Sequence, residues 1–228
     1  MKFIYGFFFN EKKKVYDSYS QNPKLNEHRA TNYTLVTMGK HKVFISFRGE
    51  DTRNTFTSHL QKAFKLKHIK TFMDDKNLRR GEEISGSLLR AIKKSKLSII
   101  IFSPNYASSK WCLDELVKIL ECKKKRRQVV VPIFYNVSPS SVRNQKGSFG
   151  SALDEHAKRE RKERVKKWKA ALKEAASLSG WDSQDIWPES QLVENIVEDV
   201  SNKLDQVCSV AALCGLAIAL ATLGASLF

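Results

Sequence analysis

Trp111 and Glu115, four residues apart in the stretch SKWCLDEL (Ser109 to Leu116), have the types and spacing that could do chemistry. On a helix that spacing is about one turn, so the ring and the carboxylate share a face. At about 100° per residue, Leu113, Leu116, Val117 and Leu120 form an apolar core stripe, and Trp111 and Glu115 fall nearly opposite it. An aromatic ring and an acid on an exposed face suggest a ligand site. The spacing alone favours the plainer alternative, a surface tryptophan beside a solvated glutamate in an early turn, where the helix dipole tolerates acid.

The elements that would position this pair can be read along the chain. From Lys42, short β-branched or aromatic runs alternate with helical segments: strands KVFISF (42–47), IKTFM (69–73), LSIIIF (97–102) and VVVPIF (129–134), with helices over 53–67, 85–94 and 110–122. The runs at 97 and 129 are apolar without alternation, as in parallel strands covered on both faces, which predicts an open α/β sheet with helices on each side. Ligands bind such sheets at the carboxyl ends of the strands. The stretch YNVSPSSVRNQKGSFG reads as a loop, residues 148–177 as a helix, Gly180 to Asp182 as a short edge strand, and 189–204 as the last helix. That helix would turn Leu192, Val193, Ile196, Val197, Val200 and Leu204 inward.

Composition fits one globular domain, at 41–205, after a flexible N-terminal leader at 1–40. The net charge of +16 is concentrated: residues 121–173 hold sixteen Lys or Arg against five Asp or Glu. Such a surface attracts phosphate-rich partners, whether dinucleotides, nucleic acid or an anionic membrane. Interleaved glutamates in KRERKERVKKWK (158–169) also suit a solvated helix face. The four cysteines form no CxxC pair, and no histidine stands at metal-ligand spacing, so they read as reduced thiols of a cytosolic protein with no metal. The apolar run Phe3 to Phe9 is short and lacks a cleavage site, so it does not read as a secretory signal.

Other doubly wound families fail at the strand ends. Only Gly49 comes soon after the first strand, so no G-x-G-x-x-G turn can form. The third strand ends in Phe102, Ser103 and Pro104 rather than a phosphoacceptor aspartate, and no P-loop lysine motif occurs. The motifs FRGEDTRNTFTSHL, DDKNLRRGEEIS, IIIFSPNYASSKWCLDELVKILEC, VPIFYNVSPSSVRNQKGSFG and LSGW, in this order, closely resemble the plant-type Toll/interleukin-receptor (TIR) domain from about Lys42 to Leu204. The resemblance implies a flavodoxin-like α/β fold, a five-stranded parallel sheet of order 2-1-3-4-5 with helices on both faces.

It also implies an activity. Plant TIR domains are known as NAD-cleaving enzymes that need self-association, and their catalytic glutamate matches Glu115. Arg48, Ser109 and Trp111 match ligand-contacting positions; Asp74 to Ile84 matches the BB loop, with Asp74, Asp75, Arg79, Arg80, Gly81 and Glu82. Ser58 and His59 match the Ser-His pair of a symmetric helix-to-helix contact, and lie outward on a helix that buries Phe56, Leu60, Ala63 and Phe64. Expelling nicotinamide leaves an oxocarbenium-like sugar that one carboxylate can stabilise, since the neutral leaving group needs no proton. Plainer roles stay open: Arg48 could pair with Glu50 or Asp51, Ser109 could be an N-cap, and His59 could be a solvated imidazole.

Residues 206–228 form a hydrophobic tail without charge from Val207 onward, long enough for a helical membrane anchor but rich in Ala, Gly, Ser and Thr. The implied function is NAD glycohydrolase signalling in plant innate immunity, in the cytoplasm or tail-anchored to a membrane. No cofactor is implied beyond NAD as substrate, and the partners would be itself and other TIR proteins or receptors. The alternative is a non-catalytic adaptor or decoy that co-assembles with full-length TIR receptors. Nucleic-acid binding has the charge but no base-reading motif behind it.

Overall fold

The computed structural model describes residues 42–73 and 86–224, with side chains of the last helix given as far as Val207 and at Ser209. The elements run β1 (Lys42–Phe47), α1 (Gly49–Thr52), α2 (Phe56–Leu66), β2 (Lys70–Met73), α3 (Gly86–Lys94), β3 (Leu97–Phe102), a 3-10 turn (Tyr106–Ser108) and α4 (Lys110–Arg126). They continue as β4 (Val129–Phe134), α5 (Pro139–Asn144), α6 (Ser148–Ala157), α7 (Lys162–Ala175), β5 (Trp181–Asp182) and α8 (Glu189–Gly224). All pairings are parallel, in the order β2-β1-β3-β4-β5, so the flavodoxin-like sheet expected from the sequence is present.

Strand periodicity divides the core in two. Phe44, Ile100, Phe102 and Phe134 point into a cluster completed by α3, α4, α6 and α7, including Leu116, Phe149 and Trp168. Their neighbours Val43, Ile45, Ile99, Ile101, Val131 and Ile133 point into the other, completed by Phe56, Leu60 and Phe64 of α2 and Leu192, Ile196 and Val200 of α8. Alternation therefore exists, but both faces are covered, so it is invisible as an apolar–polar pattern. Even-numbered residues of β1 face α4, which puts the hydroxyl of Ser46 on that side.

Pro132 sits where β4 has only one ladder partner, because β5 pairs only with Ile133 and Phe134. A β-carbon on Gly180 would lie 2.3 Å from the Pro132 carbonyl oxygen, so glycine alone lets the chain enter β5 this closely.

Several boundaries differ from expectation. The 53–67 helix is α2 preceded by the separate turn α1, and the stretch read as a loop holds α5, with Ser138 as N-cap and Pro139 in the first turn. The serine–proline pair is itself a helix-start signal. The 148–177 helix is divided by Lys158 to Arg161 into α6 and α7. The break lets Glu160 turn toward Lys110 and Arg164, at 2.9 Å each. The last helix runs on past Leu204 to Gly224. Among the residues whose side chains are described, no helix is long and apolar enough to cross a membrane, and the expected tail anchor lies almost wholly beyond them. The 1–40 leader is also outside the described residues.

Candidate functional site

The carboxyl ends of β1 and β3 and the first turns of α4 meet at one pole of the sheet. Ser109 starts α4 as its N-cap, its hydroxyl accepting from Cys112 N at 3.4 Å. This helix does not present the face the sequence suggested. Its buried residues are Cys112, Leu113, Glu115, Leu116, Ile119, Leu120 and Cys122. A stripe drawn only through Leu113, Leu116, Val117 and Leu120 omits Cys112, Ile119 and Cys122. Including them swings the buried face toward Glu115, and Val117 is only half-buried. Glu115 is 5 % exposed, contrary to its expected solvent-facing position, while Trp111 sits half-buried one turn earlier.

A carboxylate in this position needs partners. Ser46 Oγ donates to Glu115 Oε2 at 2.6 Å and stands 2.9 Å from the hydroxyl of Tyr106. Tyr106 in turn donates to the Cys112 carbonyl at 2.9 Å and packs edge-on to Phe102. The Cys112 thiol donates to the Phe47 carbonyl at 3.5 Å. Burial first, then the neighbouring Cys112 and Glu115, pushes the Tyr106 hydroxyl well above the usual phenol range; burial and Glu115 push the Cys112 thiol up likewise. Both stay neutral, so Cys112 is no thiolate nucleophile. Ser46 and Tyr106 were not singled out from sequence; the β1 face alternation could have identified Ser46.

The loop after β1 is braced separately. Arg48 pairs with Glu50 and has Nε 3.6 Å from Asp51 Oδ1, the plainer of its two expected roles. Asp51 accepts from Ser103 Oγ at 2.6 Å, Asn105 N at 3.0 Å and Asn105 Nδ2 at 3.3 Å, so it joins the β1 and β3 loops. Arg48, Ser109, Trp111 and Glu115 thus come from segments meeting at one pole. The BB-loop residues Asp74, Asp75, Arg79, Arg80, Gly81 and Glu82 lie outside the described residues. Among the described residues, no group of three His, Cys, Asp or Glu is placed to hold a metal ion.

On α2, Ser58 is half-buried and donates to the Thr55 carbonyl at 2.7 Å. His59 is 64 % exposed, with Nδ1 3.2 Å from Glu189 Oε1. Glu189 Oε2 accepts from the Tyr135 hydroxyl at 2.8 Å, and burial followed by Glu189 pushes Tyr135 up to about 12. His59 is therefore tied to the start of α8 rather than simply solvated.

The family model described as TIR domain matches residues 40–217, a span that takes in all five strands and the pole just described. The chain belongs to the TIR family. This TIR domain is 50 % identical over 167 residues to TMV resistance protein N of Nicotiana glutinosa, a match covering 72 % of this chain and 15 % of that protein. It is 52 % identical over 165 residues to disease resistance protein RUN1 of Vitis rotundifolia, covering 71 % and 12 %. The TIR domains of the activated Roq1 resistosome, described as directly recognizing the pathogen effector XopQ, are similar in structure, with a TM-score of 0.64 and 45 % identity. That match covers 70 % of this chain and 99 % of theirs. The chain spans about a seventh of the length of the two resistance proteins.

Proposed function

We propose that this TIR domain cleaves NAD between nicotinamide and ribose after self-association, releasing nicotinamide and ADP-ribose-type signals in plant innate immunity, in the cytoplasm. The reading rests on Glu115, a carboxylate held among neutral hydroxyl and thiol groups at the ligand-binding pole of an α/β sheet. Positive charge grows on the ribose as nicotinamide departs, and a nearby carboxylate in a low-dielectric setting lowers that barrier. Ser46 fixes the direction of the carboxylate by donating to Oε2. Trp111 would wall the nicotinamide or ribose. Arg48 would have to exchange the exposed Glu50 carboxylate for a phosphate oxygen.

Nicotinamide release from NAD, measured at several protein densities for wild type and Glu115→Ala, tests the reading. Turnover that rises with density and vanishes in a folded Glu115→Ala supports it. Turnover that persists in the variant rejects it, and absence of turnover in both, with retained binding to receptor TIR domains, leaves the adaptor reading.

A further inference from the structure

The opposite pole of the sheet carries a different chemistry. Because the strands are parallel and each crossover helix runs back, the ends of α2, α3 and α4 gather at the amino ends of the strands. Lys42 pairs in register with Lys70, and Leu97 with Val129. The turns entering β3 and β4 are locked together: Val129 N donates to the Lys96 carbonyl at 3.3 Å, and Arg126 Nη1 to the Lys93 carbonyl at 3.2 Å. The buried Gln128 amide donates to the carbonyls of Ile92 and Ser95, both at 2.8 Å. Exposed Lys93, Lys94, Lys96, Arg126 and Arg127 therefore share one rim, with Lys70 beyond them. No Asp or Glu occurs from Gly86 to Leu113 or from Cys122 to Leu153. Of the acids flanking this rim on α4 and α7, Glu121 is engaged by Lys118 and Glu174 by Lys124, each at 2.7 Å.

The last helix supplies an independent observation. It begins at the Glu115 pole, where Glu189 meets His59 in the first turns of α2 and Tyr135 just beyond β4. Its buried residues Leu192, Ile196, Val200 and Leu204 then descend the sheet. From Glu189 to Leu204 the rise is about 22 Å, against about 20 Å for a six-residue strand, so α8 has reached the amino pole by Leu204. The helix nevertheless continues to Gly224, and Val207 to Phe228 carry no charged side chain. From Val207 to Gly224 an uncharged, Ala- and Leu-rich stretch of helix thus leaves the domain at the same pole as the cationic rim.

We propose that this pole docks on an anionic phospholipid bilayer, the rim meeting headgroup phosphates while the uncharged segment enters the interface. Cations and an apolar segment are the two signals that together give stable peripheral attachment, where either alone binds weakly. A nucleic acid would be served by the cations alone and leaves the apolar segment unexplained. Docked this way, the Glu115 pole faces the solvent.

Co-sedimentation of the purified full chain with phosphatidylcholine vesicles, with or without phosphatidylserine, tests this across a salt series. Phosphatidylserine should strengthen binding by about tenfold or more, with the gain falling as salt rises. The triple variant Lys94→Glu, Lys96→Glu, Arg127→Glu should lose that gain. A triple on the exposed side of α7, Lys162→Glu, Lys166→Glu, Lys169→Glu, changes the net charge equally and should keep it. Equal binding to both vesicles, equal losses in both triples, or binding to oligonucleotides without binding to vesicles would overturn the proposal. If the rim triple fails to fold by thermal melting, the corresponding glutamine triple decides, and an undiminished phosphatidylserine gain there overturns the proposal as well.

Discussion

The hydroxyl of Ser46 lies 2.6 Å from Oε2 of Glu115, joining the fifth residue of β1 to the second turn of α4. Sixty-nine residues separate the two in sequence. Removing that donor takes a hydrogen bond from a buried carboxylate oxygen and a polar neighbour from the Tyr106 hydroxyl 2.9 Å away. Ser46→Ala should cost about 1–3 kcal/mol of stability and at least about tenfold in nicotinamide release, because the carboxylate loses its orientation. Tyr106→Phe removes the donor to the Cys112 carbonyl without touching Glu115 directly, and should cost about 1 kcal/mol with a smaller loss of turnover. Denaturant unfolding alongside turnover checks both; equal losses of turnover would show that the hydroxyls act only through packing.

Asp51 should behave as a positioning residue. Its carboxylate takes three hydrogen bonds from Ser103 and Asn105 and stands beside Arg48, so Asp51→Ala frees the β1 loop from the β3 loop. The expected loss is about 2–3 kcal/mol, with KM for NAD raised more than kcat is lowered. Asp51→Asn, which keeps an acceptor oxygen, should recover part of both. A variant with unchanged melting and unchanged KM would remove this role.

The fold was legible because β1, β3 and β4 are continuous β-branched or aromatic runs of the kind that parallel strands covered on both faces require. β3 is buried at all six positions, and the expected limits of β1, β3 and β4 match those observed. Glu115 stood out in the sequence as a candidate, and its expected surface position was wrong. Cysteines at 112 and 122 pack as small apolar side chains, and leaving them out of the stripe rotated the helix on paper. Tyr106 stayed hidden, β1 alternation could place Ser46 on a face but not name its partner, and Asp51 was read only as a partner for Arg48, for a different reason: their roles lie in contacts between the β1 strand and loop and the segment after β3, which local periodicity does not contain.

His59 and Tyr135 share the two oxygens of Glu189, so α2, the end of β4 and the start of α8 form one unit at the edge of the proposed self-association face. His59→Ala should lower the association constant measured by sedimentation and lower NAD turnover in parallel, with thermal stability changed by less than about 1 kcal/mol for an exposed pair. Glu189→Ala removes partners from both side chains and should weaken association further. If sedimentation profiles match wild type in both variants, α2 is not an association surface.

The contact between α4 and α7 should titrate in acid. Glu160 accepts from Lys110 and Arg164, while Arg164 also pairs with Asp114 and lies over the Trp168 ring. The hydrogen bond from Lys110, with the Arg164 charge behind it, holds the Glu160 carboxyl below its ordinary 4.5. A carboxyl depressed in the folded state binds its proton more readily when unfolded, so its contribution to stability is fully present above 4.5 and is lost as pH falls through the folded value. The pair with Lys110 is half-exposed on the lysine side, which keeps the contribution to about 0.5–1 kcal/mol. Glu160→Gln should therefore melt below wild type at neutral pH, and the two curves should converge as pH drops below 4.5. High salt should narrow the neutral-pH gap in the same direction. A gap that persists through the acid range would assign the effect of Glu160 to packing at the α6–α7 break rather than to its charge.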